Sequence, residues 1–138
     1  MVFEFAAVGQ DVVVSSESTR GRATALVFIT TFDLASQVVV RRLGEVITTF
    51  TPRANAAAVV IEAPLYAELL PTYRESMSLP FPVVMADFAT QRGAGPFGNI
   101  ERVPVLVVLD REGREVFRAQ GSLESAEIEA ALRRGSGR

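Results

Sequence analysis

Two polar residues lie at the point where an apolar segment ends and a predicted helix begins. The apolar segment, residues 23–30, is followed by Thr-Phe-Asp-Leu-Ala-Ser, which places Asp33 and Ser36 three positions apart. A helix beginning here would direct its free N–H groups and the positive end of its dipole toward both side chains. Asp33 is therefore a candidate general acid or base. It is also a preferred helix N-cap, worth about 1 kcal/mol of stability, and we favour this simpler interpretation for both residues.

The residue types that are missing limit the chemistry further. The chain has no Cys, His or Trp, and all 14 of its basic residues are Arg. Without Cys it can form no disulfide and supply no thiolate nucleophile. Without His or Cys a zinc site would need carboxylates alone, and without Lys there is no Schiff base or P-loop lysine. These absences favour a protein without catalytic activity, and no cofactor is expected.

Three further carboxylates follow apolar segments. Asp87 and Asp110 are most simply turn formers, whereas Glu62 is expected near the edge of a sheet where α/β folds place ligands. Asp33, Glu62 and Asp87 together could hold a hard cation. Their spacing gives no support for such a site, and we expect no metal.

Residues 93–98, GAGPFG, match the glycine pattern of dinucleotide-binding loops. That function requires a preceding strand and a helix that starts within the motif. Here the motif follows a loop and precedes a strand, and Pro96 lacks one of the N–H groups that would bind phosphate. We interpret it as a flexible loop.

Length and composition indicate one folded domain. The chain has 138 residues, of which 49% are hydrophobic, and a net charge of −2. This charge argues against nucleic-acid binding. No apolar run approaches the roughly 20 residues of a membrane span, and the N-terminus lacks the features of a signal peptide.

The hydrophobic pattern predicts alternating strands and helices. Two short strands, in VFEFAAV and DVVVS, flank a turn at Gly9-Gln10-Asp11. Further strands are predicted at 23–30, 56–63, 79–87, 104–110 and 114–120. We expect one sheet, with the strand at 104–110 running antiparallel to residues 82–86.

Three helices are predicted between and after these strands. The first covers 34–50, although the run Val38-Val39-Val40 has low helix propensity because valine is β-branched. The second begins at Pro64, is kinked or restarted by Pro71, and has an apolar stripe formed by Tyr66, Leu69, Leu70, Tyr73 and Met77. The third is capped by Ser122 and runs to about Arg134, leaving residues 135–138 as a loose tail. Residues 88–102 are expected to be loop with one helical turn at most.

Taken together, these segments resemble the redoxin group of thioredoxin-fold proteins, on the side of the TlpA-like thioredoxins and the AhpC/TSA peroxiredoxins. VVVSSESTRGRATALVFITTFDLASQ resembles the opening of that family, which leads into its Cys-x-x-Cys motif. YRESMSLPFPVVMAD and FGNIERVPVLVVLDREGREVFRAQG resemble two later passages, the last of which contains a cis-proline beside the active-site turn. The resemblance implies a three-layer α/β domain over residues 1–138. Its central mixed sheet would have helices on both faces, with residues 1–20 added as an N-terminal β-hairpin extension.

The resemblance also assigns positions to the candidate residues. Asp33 stands where the family has its nucleophilic Cys, Ser36 where it has the resolving Cys, and Pro104 at the cis-proline. Thiol chemistry is therefore lost. The backbone before the cis-proline binds extended peptide segments in this fold, and that function needs no cysteine. The resemblance thus implies a binding surface at Thr31, Phe32, Asp33, Val103 and Pro104.

The resulting hypothesis is a redox-inactive thioredoxin-like module that binds a protein or an extended peptide. A non-redox enzyme that uses Asp33 as acid or base is the alternative, and Arg102 is the partner that the fold could bring to it. The sequence leaves a homodimer open. TlpA-like relatives work outside the cytoplasm, so the resemblance implies an extracytoplasmic, periplasmic location.

Overall fold

Seven strands form one sheet in the computed structural model, which describes residues 1–7 and 12–137, without the side chains of residues 64 and 65. The strands are β1 (Glu4–Ala7), β2 (Val12–Ser15), β3 (Thr24–Ile29), β4 (Asn55–Val60), β5 (Val83–Met85), β6 (Val105–Leu109) and β7 (Glu115–Gln120). The α-helices are α1 (Ser16–Thr19), α2 (Leu34–Thr49), α3 (Leu70–Ser76), α4 (Phe88–Gln91) and α5 (Ser125–Gly135), and a 3₁₀ helix covers Pro64–Leu69.

The order of the strands across the sheet is β2-β1-β5-β4-β3-β6-β7. β3, β4 and β5 are parallel, whereas β6 is antiparallel to β3 and β1 is antiparallel to β5. The predicted mixed sheet is therefore confirmed, and β6 does run opposite to β5, although β3 and β4 separate the two. β1 and β2 pair as the predicted hairpin, whose Gly9-Gln10-Asp11 turn lies outside the described residues.

Two apolar layers enclose the sheet. One contains the inward faces of α2, α3 and α5, for example Leu43, Leu70 and Leu132, packed on one face of the central strands. The other is built on Phe5, Phe28 and Phe97 and is covered by the N-terminal segment and the residues that follow α4. The α/β domain with a central mixed sheet expected from the sequence is thus present, and its three longer helices, α2, α3 and α5, pack on the same face of the sheet.

The helix α2 forms in spite of its three consecutive valines. Val39 and Val40 are fully buried, together with Leu43 one turn later. Burying a Val or Leu side chain contributes about 1.5–3 kcal/mol, which exceeds the few tenths that a β-branched residue costs a helix. Packing therefore decides the conformation of this segment.

The segment between β4 and β5 differs from the prediction. Pro71 does restart the helix, at the first turn of α3, but the residues before it form a 3₁₀ helix. Because a 3₁₀ helix has 3.0 residues per turn instead of 3.6, the predicted apolar stripe does not stay on one face. Tyr66 and Leu69 are consequently exposed, while Leu70 is buried.

Other boundaries were also predicted wrongly. The strand expected at 79–87 is limited to β5, because Pro80 and Pro82 have no N–H to donate to a neighbouring strand. The N-cap of α5 is Glu124 rather than Ser122, with its N–H bonded to the side chain of Glu127. Gly135 belongs to α5 and Ser136 is buried, and the short helix α1 was not expected within residues 1–20.

Candidate functional site

The candidate residues from both halves of the chain meet at one edge of the sheet. Thr31, Phe32 and Asp33 follow the carboxyl end of β3, and Val103 and Pro104 precede β6. Because β6 is antiparallel to β3, with Phe28 opposite Val105, its beginning lies beside the end of β3. The peptide bond between Val103 and Pro104 is cis, as predicted.

The Asp33 carboxylate caps α2. It accepts hydrogen bonds from the N–H of Ala35 at 3.3 Å and from the Ser36 hydroxyl at 2.9 Å. Ser36 is fully buried, and its oxygen accepts a bond from the N–H of Thr30 at 3.4 Å. Asp33 is therefore the N-cap of α2, as predicted, and Ser36 joins it in one closed arrangement.

Asp33 has no partner suited to acid–base chemistry in the described part of the chain. Arg102, the partner considered from sequence, is exposed and forms no ion pair with it. Asp87 caps α4 through the N–H of Thr90, and Asp110 accepts two N–H bonds within its turn, so both are turn formers as expected. No group of three or more Asp or Glu residues among those described is placed to hold a metal ion.

Glu62 links the loops that follow the three parallel strands. It lies just beyond β4, is 9% exposed, and accepts hydrogen bonds from both the N–H and the hydroxyl of Thr31, the latter at 2.6 Å. Its own carbonyl accepts a bond of 2.7 Å from the side chain of Gln91 in α4. The Gln37 side chain donates to the carbonyl of Thr31. The polar groups of Thr31 are thus used within the domain, where they fix the position of Phe32.

Tyr73 on α3 lies close enough to be affected by the charge of Glu62. Burial raises the pKa of its hydroxyl to about 12, the negative charge of Glu62 adds to this effect, and Arg41 opposes it. The hydroxyl is buried without a hydrogen-bond partner among the described residues. Tyr73 therefore stays neutral beneath the site at ordinary pH.

Val103 presents unpaired backbone at the same edge. Pro104 is fixed by its carbonyl, which accepts a bond from the N–H of Gly121 at 2.9 Å. Among the described residues, neither the N–H nor the carbonyl of Val103 has a hydrogen-bond partner in the backbone. The backbone of Val103 is therefore not used in the hydrogen-bond network that holds Pro104 and β6.

Large apolar side chains are exposed around this position. Phe32 and Leu34, on either side of Asp33, are 79% and 73% exposed, and Phe88, the first residue of α4, is 75% exposed. Tyr66 and Leu69, beyond β4, are exposed as well. Phe32, Leu34 and Phe88 lie within five residues of the carboxyl ends of β3 and β5, whereas Tyr66 and Leu69 lie farther along, in the 3₁₀ helix.

The GAGPFG loop contributes a buried residue to the hydrophobic core. Phe97 is buried against Phe3 and Phe28, while Gly93 and Gly98 have positive φ angles. No helix begins within this loop, so it lacks the helix N-terminus that the dinucleotide-binding motif requires.

No protein-family model matches the chain, and no curated protein sequence is a significant match. Solved structures match it over nearly its full length. The exposed lipoprotein thioredoxin Etrx1 of Streptococcus pneumoniae is 14% identical, with 97% of this chain and 99% of that chain covered and a TM-score of 0.77. A thiol:disulfide interchange protein of the thioredoxin family from Chlorobium tepidum is 21% identical, with 97% and 92% covered and a TM-score of 0.76. StoA from Bacillus subtilis is 14% identical, with 95% and 96% covered and a TM-score of 0.74.

The chain has the thioredoxin fold. At these identities the likeness establishes architecture and carries no activity, and this thioredoxin-fold domain has no cysteine with which to perform thiol chemistry. No helix in the described ranges is both long and apolar enough to cross a membrane.

Sequence reasoning missed several residues of the site. Glu62 is expected from sequence near the sheet edge and as one member of a possible cation site, but nothing in the sequence links it to Thr31 or Gln91. Leu34 and Phe88 were expected to be ordinary positions in a helix and a loop. Each of the two is an apolar residue that directly follows an Asp capping a helix. Such a residue occupies the first position of the helix, and this placement is the signal that could have revealed its exposure.

Proposed function

We propose that this thioredoxin-fold domain is a non-catalytic module that binds an extended segment of another protein. The observation that carries the proposal is the unpaired backbone of Val103 beside the exposed side chains of Phe32 and Leu34. Exposed apolar groups that adjoin unpaired backbone are typical of sites that bind a peptide as an added strand.

In the proposed binding mode, the backbone forms hydrogen bonds with the bound segment and the side chains make apolar contacts with it. Val103 exchanges hydrogen bonds with one residue of the incoming segment, which holds the segment extended. Phe32 and Leu34 then contact apolar side chains of that segment, and a buried aromatic contact supplies most of the binding free energy in such interfaces. Asp33 keeps Phe32 and Leu34 in place by capping α2.

An enzyme that uses Asp33 is the weaker alternative. A general acid or base requires a carboxylate that can exchange a proton with a bound substrate. Both oxygens of Asp33 already accept bonds, from Ala35 and Ser36. This arrangement supports the module.

We further propose that the domain works outside the cytoplasm. The proposal is supported by structural neighbours described as an exposed lipoprotein and as a secreted protein. A fluorescent fusion, or protease accessibility in intact cells, would test it.

The binding proposal is tested with an array of random ten-residue peptides, probed with the wild-type domain. We expect apolar peptides to bind, and binding to fall when Phe32→Ser is introduced. N-methylation of one central amide of a bound peptide should abolish binding, because it removes the donor that pairs with Val103. Val13→Ser, which replaces an apolar residue half-exposed on β2, is the matched control and should not change binding. Failure of every peptide to bind, or indifference to N-methylation, would contradict the proposal.

A further inference from the structure

A depression of about 260 Å³ adjoins Val103, and the contacts proposed so far do not use it. Its apolar lining is formed by Val105, the buried first residue of β6, and by Ile100, which packs against the aromatic part of the core. Charged side chains that also line it are those of Glu101, Arg102 and Arg118. The volume is below the roughly 300–1,000 Å³ of sites that hold a small molecule, so we interpret it as a pocket for one side chain.

The carboxylates at this edge of the sheet are already bonded within the domain. Asp33 accepts the two bonds of the helix cap, and Glu62 accepts two bonds from Thr31. Glu101, in the lining of the depression, accepts a bond of 2.8 Å from the side-chain amide of Asn99. A basic side chain of a partner would therefore have to compete with donors of the domain itself.

The two guanidinium groups of the depression differ in their partners. Arg118 donates two bonds to the carboxylate of Glu115, at 3.1 and 2.7 Å. Arg102 is exposed, directly precedes Val103 in the chain, and forms no ion pair with any residue that the structure describes. Arg102 is therefore the charged group of this lining that has no bonded partner within the described domain.

A side chain with an apolar stem and an anionic end fits this lining. The methylene groups of a Glu side chain would lie on Val105 and Ile100, and its carboxylate would accept bonds from the guanidinium of Arg102. A guanidinium binds a carboxylate through two parallel N–H bonds, which makes this pairing specific in geometry as well as in charge.

We propose that Arg102 determines the specificity of the binding site, and that the extended segment bound at Val103 carries a Glu side chain that lies in this depression and pairs with Arg102. This inference rests on the proposed function and adds the identity of one residue of the bound segment.

Labelled peptides test it by fluorescence anisotropy at low salt. In the host peptide Ser-Thr-Val-Phe-Val-Thr-Ser, with blocked termini, each residue within two positions of the Phe is replaced in turn by Glu, Gln or Lys. We expect one position at which the Glu peptide binds about fivefold more tightly than the Gln peptide, and the Lys peptide most weakly, as is typical of a solvent-exposed ion pair. The preference should disappear at about 1 M NaCl, which screens such a pair.

Variants of the domain assign the preference to one residue. Arg102→Gln should remove the preference for Glu over Gln at that position, and Arg102→Glu should reverse it in favour of Lys. Arg53→Gln is the matched control: Arg53 is also exposed, but it precedes β4 and so lies at the opposite edge of the sheet, and the preference should persist in this variant. Melting curves by circular dichroism should confirm that all variants fold.

The outcomes separate the two proposals. Equal binding of the Glu and Gln peptides at every position, or an equal loss of the preference in Arg53→Gln, would overturn the role of Arg102. The proposed function still stands in that case if the host peptide binds and Phe32→Ser weakens its binding. If the wild-type domain binds neither the host peptide nor any of its variants, both proposals fail.

Discussion

At the scale of single residues, the turn between β3 and α2 is fixed by a helix cap. A carboxylate at the helix N-terminus complements the helix dipole, and the buried hydroxyl of Ser36 closes the arrangement by bonding to Asp33 and to Thr30. Asp33 and Ser36 therefore have a structural role at the start of α2.

Replacing Asp33 tests that role. Asp33→Ala removes both bonds and should lower the free energy of unfolding by about 0.5–2 kcal/mol, whereas Asn or Ser should cost much less because they also cap. Thermal and urea unfolding followed by circular dichroism measure the difference. An Asn variant that is stable yet has lost all function would show instead that the carboxylate is a catalyst.

Tyr73 gives a pH dependence of known sign. Its pKa is raised to about 12 in the folded state, above the usual value of 10.0. Folding then favours the protonated hydroxyl, so the stability due to Tyr73 is complete below pH 10 and is lost as the pH rises toward 12. The chain has two tyrosines, so ultraviolet titration of a Tyr66→Phe variant reports Tyr73 alone. We expect a midpoint near 12, and a stability of Tyr73→Phe that falls less over this range than that of the wild type. A midpoint near 10 would contradict the burial of this hydroxyl.

At the scale of elements, the loops after β3, β4 and β5 are linked through one residue. The carboxylate of Glu62 accepts two bonds from Thr31, and its backbone carbonyl accepts one from the side chain of Gln91. The carboxylate therefore fixes the loop that carries Phe32, a residue of the proposed binding site.

Glu62→Gln should therefore cost stability as well as binding. Gln keeps an acceptor oxygen but loses the charge, and a hydrogen bond to a charged group contributes about 1 kcal/mol more than a neutral one. Glu62→Ala should cost about 3 kcal/mol, since it also leaves Thr31 without its partner. Glu68→Gln, at an exposed position of the 3₁₀ helix, is the control and should change neither property. Equal stability of Glu62→Ala and the wild type would show that the hydrogen bonds between Thr31 and the Glu62 carboxylate do not contribute to the free energy of unfolding.

Close packing of α5 on the sheet is tested at Gly135. A Cβ there would lie 3.0 Å from a methyl group of Val108 and 3.1 Å from the carbonyl oxygen of Leu109. Gly135→Ala should therefore destabilise the fold by about 1–3 kcal/mol of overpacking, offset in part by the better helix propensity of Ala. In α2, a Cβ added at Gly44 would lie no closer than 3.3 Å to its nearest neighbour, the side chain of Pro80, so Gly44→Ala should cost less stability. The opposite order in urea unfolding would be inconsistent with this packing.

At the scale of the whole molecule, the thioredoxin architecture is present without its redox centre. Seven strands form one mixed sheet, α2, α3 and α5 pack on one face of it, and a cis peptide bond precedes β6. This architecture positions the edge surface to which we assign the proposed binding function.

The absence of Cys predicts the outcome of the usual assays for this fold. Purified protein should neither reduce insulin with dithiothreitol as electron donor beyond the rate without protein, nor consume peroxide in a thiol-dependent manner. Turnover that scales with protein concentration and survives repurification would contradict this prediction.

Much of the architecture followed from the sequence because it depends on local pattern. Apolar runs of strand length, such as the one ending at Ile29, must be covered on both faces, and the Asp at the end of such a run has few roles other than a cap. The missing Cys, His and Lys excluded whole classes of chemistry. These features require no knowledge of distant contacts.

The tertiary structure alone decided which residues face solvent and which loops meet. Tyr66 and Leu69 are exposed because the segment before Pro71 winds as a 3₁₀ helix, whose period the sequence pattern did not reveal. The bonds of Glu62 to Thr31, 31 positions away, and to Gln91, 29 positions away, exist because parallel strands end at one edge of the sheet. The same edge brings Val103 beside Phe32. Contacts of this kind depend on strand order, which hydrophobic periodicity does not encode.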